Sequence, residues 1–514
     1  MRKHKLYYIY NIGLLLAVQV TFPFNLSAQS NNHWSRNFNE ESSLLSGAVV
    51  GGGAGPAAIF YNPATISEIK ESKFSLNVSL FAFEFLKANN AWGDGIDLKY
   101  NRGVVVPRFL SYMLKPKRLE KWSFEVAFLN NSDYSVQDTK SFSQQIDVLN
   151  RYPGEERYDA YYKYLNKYRD NWIGIGGSVQ VADHLYLGTS MFVSYISKEY
   201  IYDVETEAVP DLEIPDQYSF NRSIAHSSEH EFVKFYDYRL LFKVGLLYKK
   251  ERLSLGLNIT TPSIGQIYSN GKEVFRKRSQ GNIANPTNDE LLPDILISSY
   301  KEKNEVMVNA KSTFSIATGL TYTNSNENKT LFLTGEYFAG IDPYRMVEAK
   351  GNRISADNEV SDIINLNEWL TFVSGAKPVF NFATGYKWLV KENLMILTGF
   401  RTDFNYSLNE SQMPSSLNSF KQLNLNKYHV TSGLNLRIMG QDLIAGFQYT
   451  YGVENNKKQF ANFSHPNEFN SIDNSALQGI RQHIMNSRLS TITIYFGATI
   501  NINQRRTKQS SNSN

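Results

Sequence analysis

The stretch that decides the fold is YDYRLLFKVGLLYKKERLSLGLNI, residues 236–259. Every second position of its first half gives Tyr236, Tyr238, Leu240, Phe242, Val244, Leu246 and Tyr248. The positions between are Asp237, Arg239, Leu241, Lys243, Gly245, Leu247 and Lys249. The first set is wholly apolar with tyrosines at both ends, and the second carries the charges. Period-two alternation puts successive side chains on opposite faces of a strand. After the turn Lys250-Glu251-Arg252, the residues Leu253, Leu255, Leu257 and Ile259 alternate with Ser254, Gly256, Asn258 and Thr260. The stretch is a hairpin with one apolar and one polar face.

A tilted strand needs about 9–11 residues to cross a bilayer, and this one is longer. An apolar face with aromatic ends fits the girdled outer face of a membrane barrel, whose interior is polar. A soluble sandwich hairpin alternates too, so the remaining chain has to decide. From Phe74 onward fourteen segments qualify as strands: 74–86, 104–114, 121–129, 171–181, 185–203, 232–249, 253–262, 304–323, 329–341, 378–390, 394–407, 422–438, 442–453 and 488–503. Short connections at 115–120, 182–184, 250–252, 324–328, 391–393 and 439–441 alternate with long ones at 87–102, 130–170, 204–231, 263–303, 342–377, 408–421 and 454–487. A sandwich has no reason to gather its long connections at one end. An up-and-down outer-membrane barrel has short periplasmic turns and long external loops. The expected fold is therefore all-β, a transmembrane antiparallel barrel of about fourteen strands. Pro107 in the second segment is expected to mark a kink or an edge, and Asn130-Asn131 after the third a bend.

The composition agrees. The 514 residues include 32 Tyr, 32 Phe and no Cys, which excludes disulfides and thiolate metal sites. The mean hydropathy of −0.37 excludes a bundle of membrane helices but not a barrel, half of whose strand residues face the lumen. Arg2, Lys3 and Lys5, the apolar run Ile12 to Val20, and Leu26-Ser27-Ala28 read as a signal peptide, 1–28, cut before Gln29. Removing those three cations from the formal charge of +4 leaves +1, so no basic field points to nucleic acid. The expected location is the outer membrane of a Gram-negative bacterium, in contact with its lipid.

Residues 29–73 do not alternate. They hold Gly51, Gly52 and Gly53 and then Ala57-Ala58-Ile59-Phe60-Tyr61-Asn62-Pro63-Ala64. No Gly-Lys-Ser/Thr follows, so this is no phosphate loop. The segment reads as a plug ahead of the barrel, 74–503, with a polar tail at 504–514. The last strand lacks the terminal aromatic residue usual for such barrels. Among the long connections, Asn288-Asp289-Glu290 is placed to cap a helix over Leu291 to Ile297, and Asp357-Asn358-Glu359 one over Val360 to Leu370. Tyr158, Tyr161, Tyr162, Tyr164 and Tyr168 crowd a third loop. These pieces pack on one another as a cap or form a ligand groove.

Taken together, the Asn62-Pro63-Ala64 tripeptide, the plug and the strand count resemble the FadL/TodX family of outer-membrane transport proteins. The resemblance covers essentially the whole mature chain. It implies uptake of hydrophobic compounds such as long-chain fatty acids or aromatic hydrocarbons. Ligand would land in an external groove, pass to a pocket in the barrel, and leave sideways into lipid when the plug moves as a hatch. Asn62, Pro63 and Ala64 would then sit in the hatch, with Asn62 hydrogen-bonded to a bent strand. Gly51, Gly52 and Gly53 would let the backbone pack closely. Leu291, Leu292, Ile295 and Leu296 are groove candidates by loop position.

Two other readings compete. Catalysis lacks a Gly-x-Ser-x-Gly elbow. His226 and His230 flank Glu229, which is not the His-Glu-x-x-His of a zinc protease. We therefore expect no catalytic residue, no metal and no cofactor. A scaffold that binds cargo during protein export across the outer membrane would suit large external loops equally well.

Overall fold

The structure, a computed structural model, describes residues 31–210, 224–285, 287–350, 365–409, 412–414, 417–438 and 441–501. The expected signal peptide and polar tail lie outside the described residues. In chain order the long strands are β1 (Lys73–Asn89), β2 (Leu98–Leu114), β3 (Trp122–Ile146), β4 (Glu156–Ala182), β5 (Leu185–Pro210), β6 (Ala225–Lys250) and β7 (Leu253–Thr260). They continue as β8 (Ser315–Thr323), β9 (Lys329–Phe338), β10 (Val379–Lys391), β11 (Leu394–Asp403), β12 (Asn426–Ile438), β13 (Gln441–Lys457) and β14 (Met485–Asn501). Each overlaps a segment that alternates in the sequence. All pair antiparallel with their chain neighbours, and β14 pairs with β1. Every strand in this series therefore has a hydrogen-bonded partner on both sides.

Alternation sorts the two faces as expected. Val126, Ile173, Leu187, Val244, Leu246, Leu255, Phe382, Val430, Phe447 and Ile492 are exposed on one face of successive strands. An apolar surface this broad requires an apolar phase or a partner to cover it. Asp237, Arg239, Lys243, Arg401 and Asp403 are buried on the other face, called the inner face below.

Four of the strands are far longer than a bilayer needs. β4 has 27 residues and β6 has 26. The connection expected at 130–170 is thus largely strand, and so are the described parts of 204–231. The five tyrosines are not loop pieces but part of β4. Tyr158, Tyr162 and Tyr164 keep the strand period and point inward, buried against loops from across the sheet. Trp92 stacks on Tyr162 at 4.0 Å between ring centroids and lies against Phe460 and Phe463. This aromatic cluster is a second core, a cap above the inner space.

The helix expected after Asn288 is absent. Pro293 lacks the N–H a helix needs there, Leu291 makes an isolated bridge with Ala284, and Ile295–Glu302 is a strand paired with Ile264–Gly281. That hairpin extends the upper part of β6. Of the second expected helix, residues 351–364 lie outside the described residues. Leu366–Trp369 forms one turn, capped by Asn365.

The N-terminal segment fills the inner space at the short-turn end. It is built from short helical turns, Glu40–Leu44, Gly55–Ala57, Ala58–Tyr61 and Pro63–Glu68. Cross-strand glycines make room for it: Gly188 faces Gly245, Gly256 faces Gly319, Gly385 faces Gly399 and Gly433 faces Gly446. A Cβ at Gly245 would overlap Asn62 Oδ1, and one at Gly256 would overlap the Val50 carbonyl. Gly245→Val is expected to push the segment off the sheet at a cost of about 1–3 kcal/mol. A lower thermal midpoint with faster proteolysis between residues 40 and 70 is the expected result.

Candidate functional site: a latched segment beneath a charged cavity

The segment shares an apolar core with the inner face of the strands, and side chains on both sides hydrogen-bond its backbone. Asn62 is fully buried and satisfied at both ends of its amide. Its Nδ2 donates to the carbonyls of Val50 at 2.8 Å and of Leu246 on β6 at 3.2 Å. Its Oδ1 accepts from Ala64 N at 3.0 Å, which caps the turn that begins at Pro63. Ser190 donates to the Ile59 carbonyl and Ser178 to that of Ala64, both at 3.0 Å. Glu125 accepts from Ile59 N at 3.0 Å. Thr431 donates to the Leu44 carbonyl at 2.6 Å, and Ser46 Oγ lies 2.9 Å from Thr431 Oγ1.

The three glycines serve close approach and turning. Gly51 packs on the backbone of Gly319, leaving no room for a Cβ. Gly52 and Gly53 have φ of 130° and 80°, which side chains disfavour. Gly53 N donates to Glu68 Oε2 at 2.9 Å, while Lys249 Nζ reaches Glu68 Oε1 at 2.6 Å. At the other end of the segment, Trp34 binds through N to Asp403 at 2.9 Å and through Nε1 to Glu336 at 2.6 Å.

Above the segment lies a cavity of about 960 Å³. Gly47, Val50 and Phe60 form its floor, and Phe420, Phe460 and Arg481 belong to its upper part. Its walls are mixed: Trp172 and Leu241 beside the ion pairs Arg239–Asp170 at 3.3 Å and Arg276–Glu231 at 3.1 Å. In the loops over it, burial raises Asp473, but hydrogen bonds from Arg481 and Lys458 hold it well below the usual carboxylate range.

The wall has a discontinuity beside the cavity. β2 pairs with β1 from Leu98 to Met113 but with β3 only from Phe109 to Leu114. Beyond Leu129, β3 pairs only with β4, past a register shift between Asn130 and Ser132. Pro107 lies opposite Val78, next to a register shift in the β1–β2 ladder. The kink or edge and the bend expected from sequence thus lie on the two strands that part. A smaller cavity of about 90 Å³ lies behind the break, lined by Glu84, Asp133 and Tyr134. Arg36 of the segment donates to the Asp133 carbonyl at 3.2 Å.

The structure does not bring Leu291, Leu292, Ile295 and Leu296 to the cavity. Leu291 and Leu296 are exposed, and Leu292 packs on the cap core. Sequence reading also missed the glycine pairs, whose only signal is that they recur at inner-face positions of adjacent strands. Among the described residues no three His, Asp or Glu side chains are grouped to hold a metal.

No family model matches the chain, and neither does any curated protein. Solved structures do. The P. putida toluene transporter TodX matches with a TM-score of 0.54 at 14% identity, over 93% of this chain and 99% of that one. A Pseudomonas aeruginosa FadL homologue matches with a TM-score of 0.52 at 12% identity, over 87% of this chain and 94% of that one. The chain has the FadL/TodX fold. A TodX deltaS2S3 mutant, described as a monoaromatic hydrocarbon channel, matches at 15% identity with a TM-score of 0.52, over 88% and 95% of the two chains.

Within this FadL-type fold Asn62 joins three parts of the backbone. Asn62→Ala strands the Val50 carbonyl and the Ala64 N–H, at a cost of about 1–3 kcal/mol. Faster amide exchange across residues 47–66 is expected. Leu246→Ala keeps the accepting carbonyl and is expected to leave that exchange unchanged.

Proposed function

We propose that this protein is an outer-membrane channel for the uptake of hydrophobic compounds, such as long-chain fatty acids or aromatic hydrocarbons. The observation that carries this reading is the cavity between the latched segment and the loop cap, beside a break in the wall. The neighbours of like fold include a toluene transporter and a monoaromatic hydrocarbon channel. The two-sided pairing of all fourteen strands supports a closed barrel, which leaves no open backbone edge in lipid. The exposed apolar belt supports its place in a membrane. On this reading residues 29–73 are the hatch, 74–503 the barrel, and the short turns face the periplasm.

Ligand meets exposed Leu291 and Leu296 at the external end, enters the cavity under the cap, and leaves between β2 and β3 into lipid. The physical reason for a lateral exit is that an apolar solute gains nothing by entering water below. Asn62, Pro63 and Ala64 with Gly51, Gly52 and Gly53 connect the cavity floor to β6, so movement at the floor reaches the wall.

Asn62→Ala is expected to slow uptake of a fluorescent fatty acid by cells roughly tenfold, in line with the loss of one to two buried hydrogen bonds. The amount of protein in the outer membrane is expected to stay constant. Unchanged uptake contradicts hatch gating. Native mass spectrometry of the extracted protein separates this reading from an export scaffold. A bound apolar molecule supports transport, and a stoichiometric protein partner without one supports the scaffold.

A further inference from the structure

We propose that the turn joining β2 to β3 is a binding site for an anionic phospholipid of the periplasmic leaflet, placed at the foot of the break in the wall. This rests on the reading above for which leaflet the short turns meet.

The turn is set apart by its charge. Residues 115–121 hold Lys115, Lys117, Arg118 and Lys121 against the single acid Glu120. Of the other short connections, 250–252 holds two cations and one acid and 391–393 one of each, while 182–184, 324–328 and 439–441 hold no Lys or Arg. Beside those turns Lys249 is paired with Glu68, and Arg437 with Asp442. Lys117, Arg118 and Lys121 are exposed and make no ion pair among the described residues.

The turn is also built to hold its shape. Lys115 Nζ donates to the Glu120 carbonyl at 2.6 Å and to Ser123 Oγ at 3.1 Å, and Trp122 N donates to the Leu119 carbonyl at 2.9 Å. Lys115 N donates to Ser72 Oγ at 3.1 Å, which ties the turn to the end of the N-terminal segment. Lys70 and Glu71 beside Ser72 add no net charge. The three exposed cations are therefore grouped on an ordered turn before any anion arrives, so less ordering is lost on binding.

The surroundings specify a lipid rather than a soluble anion. Tyr112 lies opposite Val126 and Leu114 opposite Phe124. Trp122 stacks on Phe124 with ring centroids 6.0 Å apart, and Tyr112, Leu114, Trp122 and Val126 are exposed. These residues are the lower end of the apolar belt, and they fix the turn at headgroup level, where Trp is favoured and Lys and Arg meet phosphates. Leu119, in the middle of the basic turn, is 49% exposed and offers an apolar contact beside the phosphate. Above the turn β2 and β3 share only six ladder pairs before they part. A headgroup bound across the turn therefore ties the two strands together at the foot of the break.

The test is native mass spectrometry of the full mature protein in non-ionic detergent micelles doped with equal amounts of phosphatidylglycerol and phosphatidylcholine of the same chains. Wild type is expected to retain phosphatidylglycerol at least ~10-fold more than phosphatidylcholine, in line with several Lys and Arg meeting one anionic headgroup. Lys117→Gln with Arg118→Gln and Lys121→Gln is expected to abolish that preference, and Lys250→Gln with Arg252→Gln to leave it unchanged. Equal retention of the two lipids by wild type, or a preference that survives the triple variant, overturns the site. Labelling of a Lys117→Cys variant by a membrane-impermeant maleimide in intact cells also overturns it, because the turn would then lie outside. If deleting the protein leaves fatty-acid uptake by cells unchanged while phosphatidylglycerol is retained, the site stands and the uptake reading falls.

Discussion

A buried backbone must find partners for its N–H and C=O groups, and residues 38–69 face that demand inside a sheet whose own backbone is already paired. The solution combines two devices. Glycines at inner-face positions of neighbouring strands let the segment come within backbone contact of the wall. Serine, threonine, asparagine and glutamate side chains then supply the missing hydrogen bonds, Asn62 to two carbonyls and one N–H, Glu125 to Ile59, Ser190 and Ser178 from above their own strands. Such bonds are individually modest, but each becomes costly if left unmade. The segment is thus held both by many small hydrogen bonds and by an apolar core that it shares with the inner face, including Leu44, Ile59 and Ile66 against Trp172, Phe192 and Phe332.

The charged cavity follows from the same geometry. Inner-face positions at and above the segment carry Arg239, Asp170, Lys243 and Arg276, and the cap, with its aromatic core around Trp92, lies over them. β2 and β3 stop sharing hydrogen bonds next to Pro107 on β2 and Asn130 on β3.

Much of this was legible in the sequence, and the limits have physical causes. Strand positions followed from period-two alternation, which is why 236–259 reads correctly alone. The upper half of β4 did not, because its inward apolar face is made of tyrosines buried against loops distant in sequence. Leu291 to Ile297 has helical spacing, yet Pro293 and pairing to the preceding hairpin turn part of it into strand. Asn62 could be singled out by its Asn-Pro-Ala context, but its partners Val50 and Leu246 are fixed only by tertiary approach. Lys243 was visible merely as one of several polar inner-face residues; its place over the Phe60 ring is fixed only by tertiary approach.

The central claim is that the N-terminal segment moves during uptake. The chain has no cysteine, so a single engineered disulfide can be read cleanly. Ser46 Oγ and Thr431 Oγ1 lie 2.9 Å apart, which makes Ser46→Cys with Thr431→Cys a lock between segment and wall. The account predicts that uptake stops when this pair is oxidised and returns on reduction, with each single variant active throughout. Equal uptake in the oxidised and reduced protein, with the crosslink shown complete, would contradict a moving hatch.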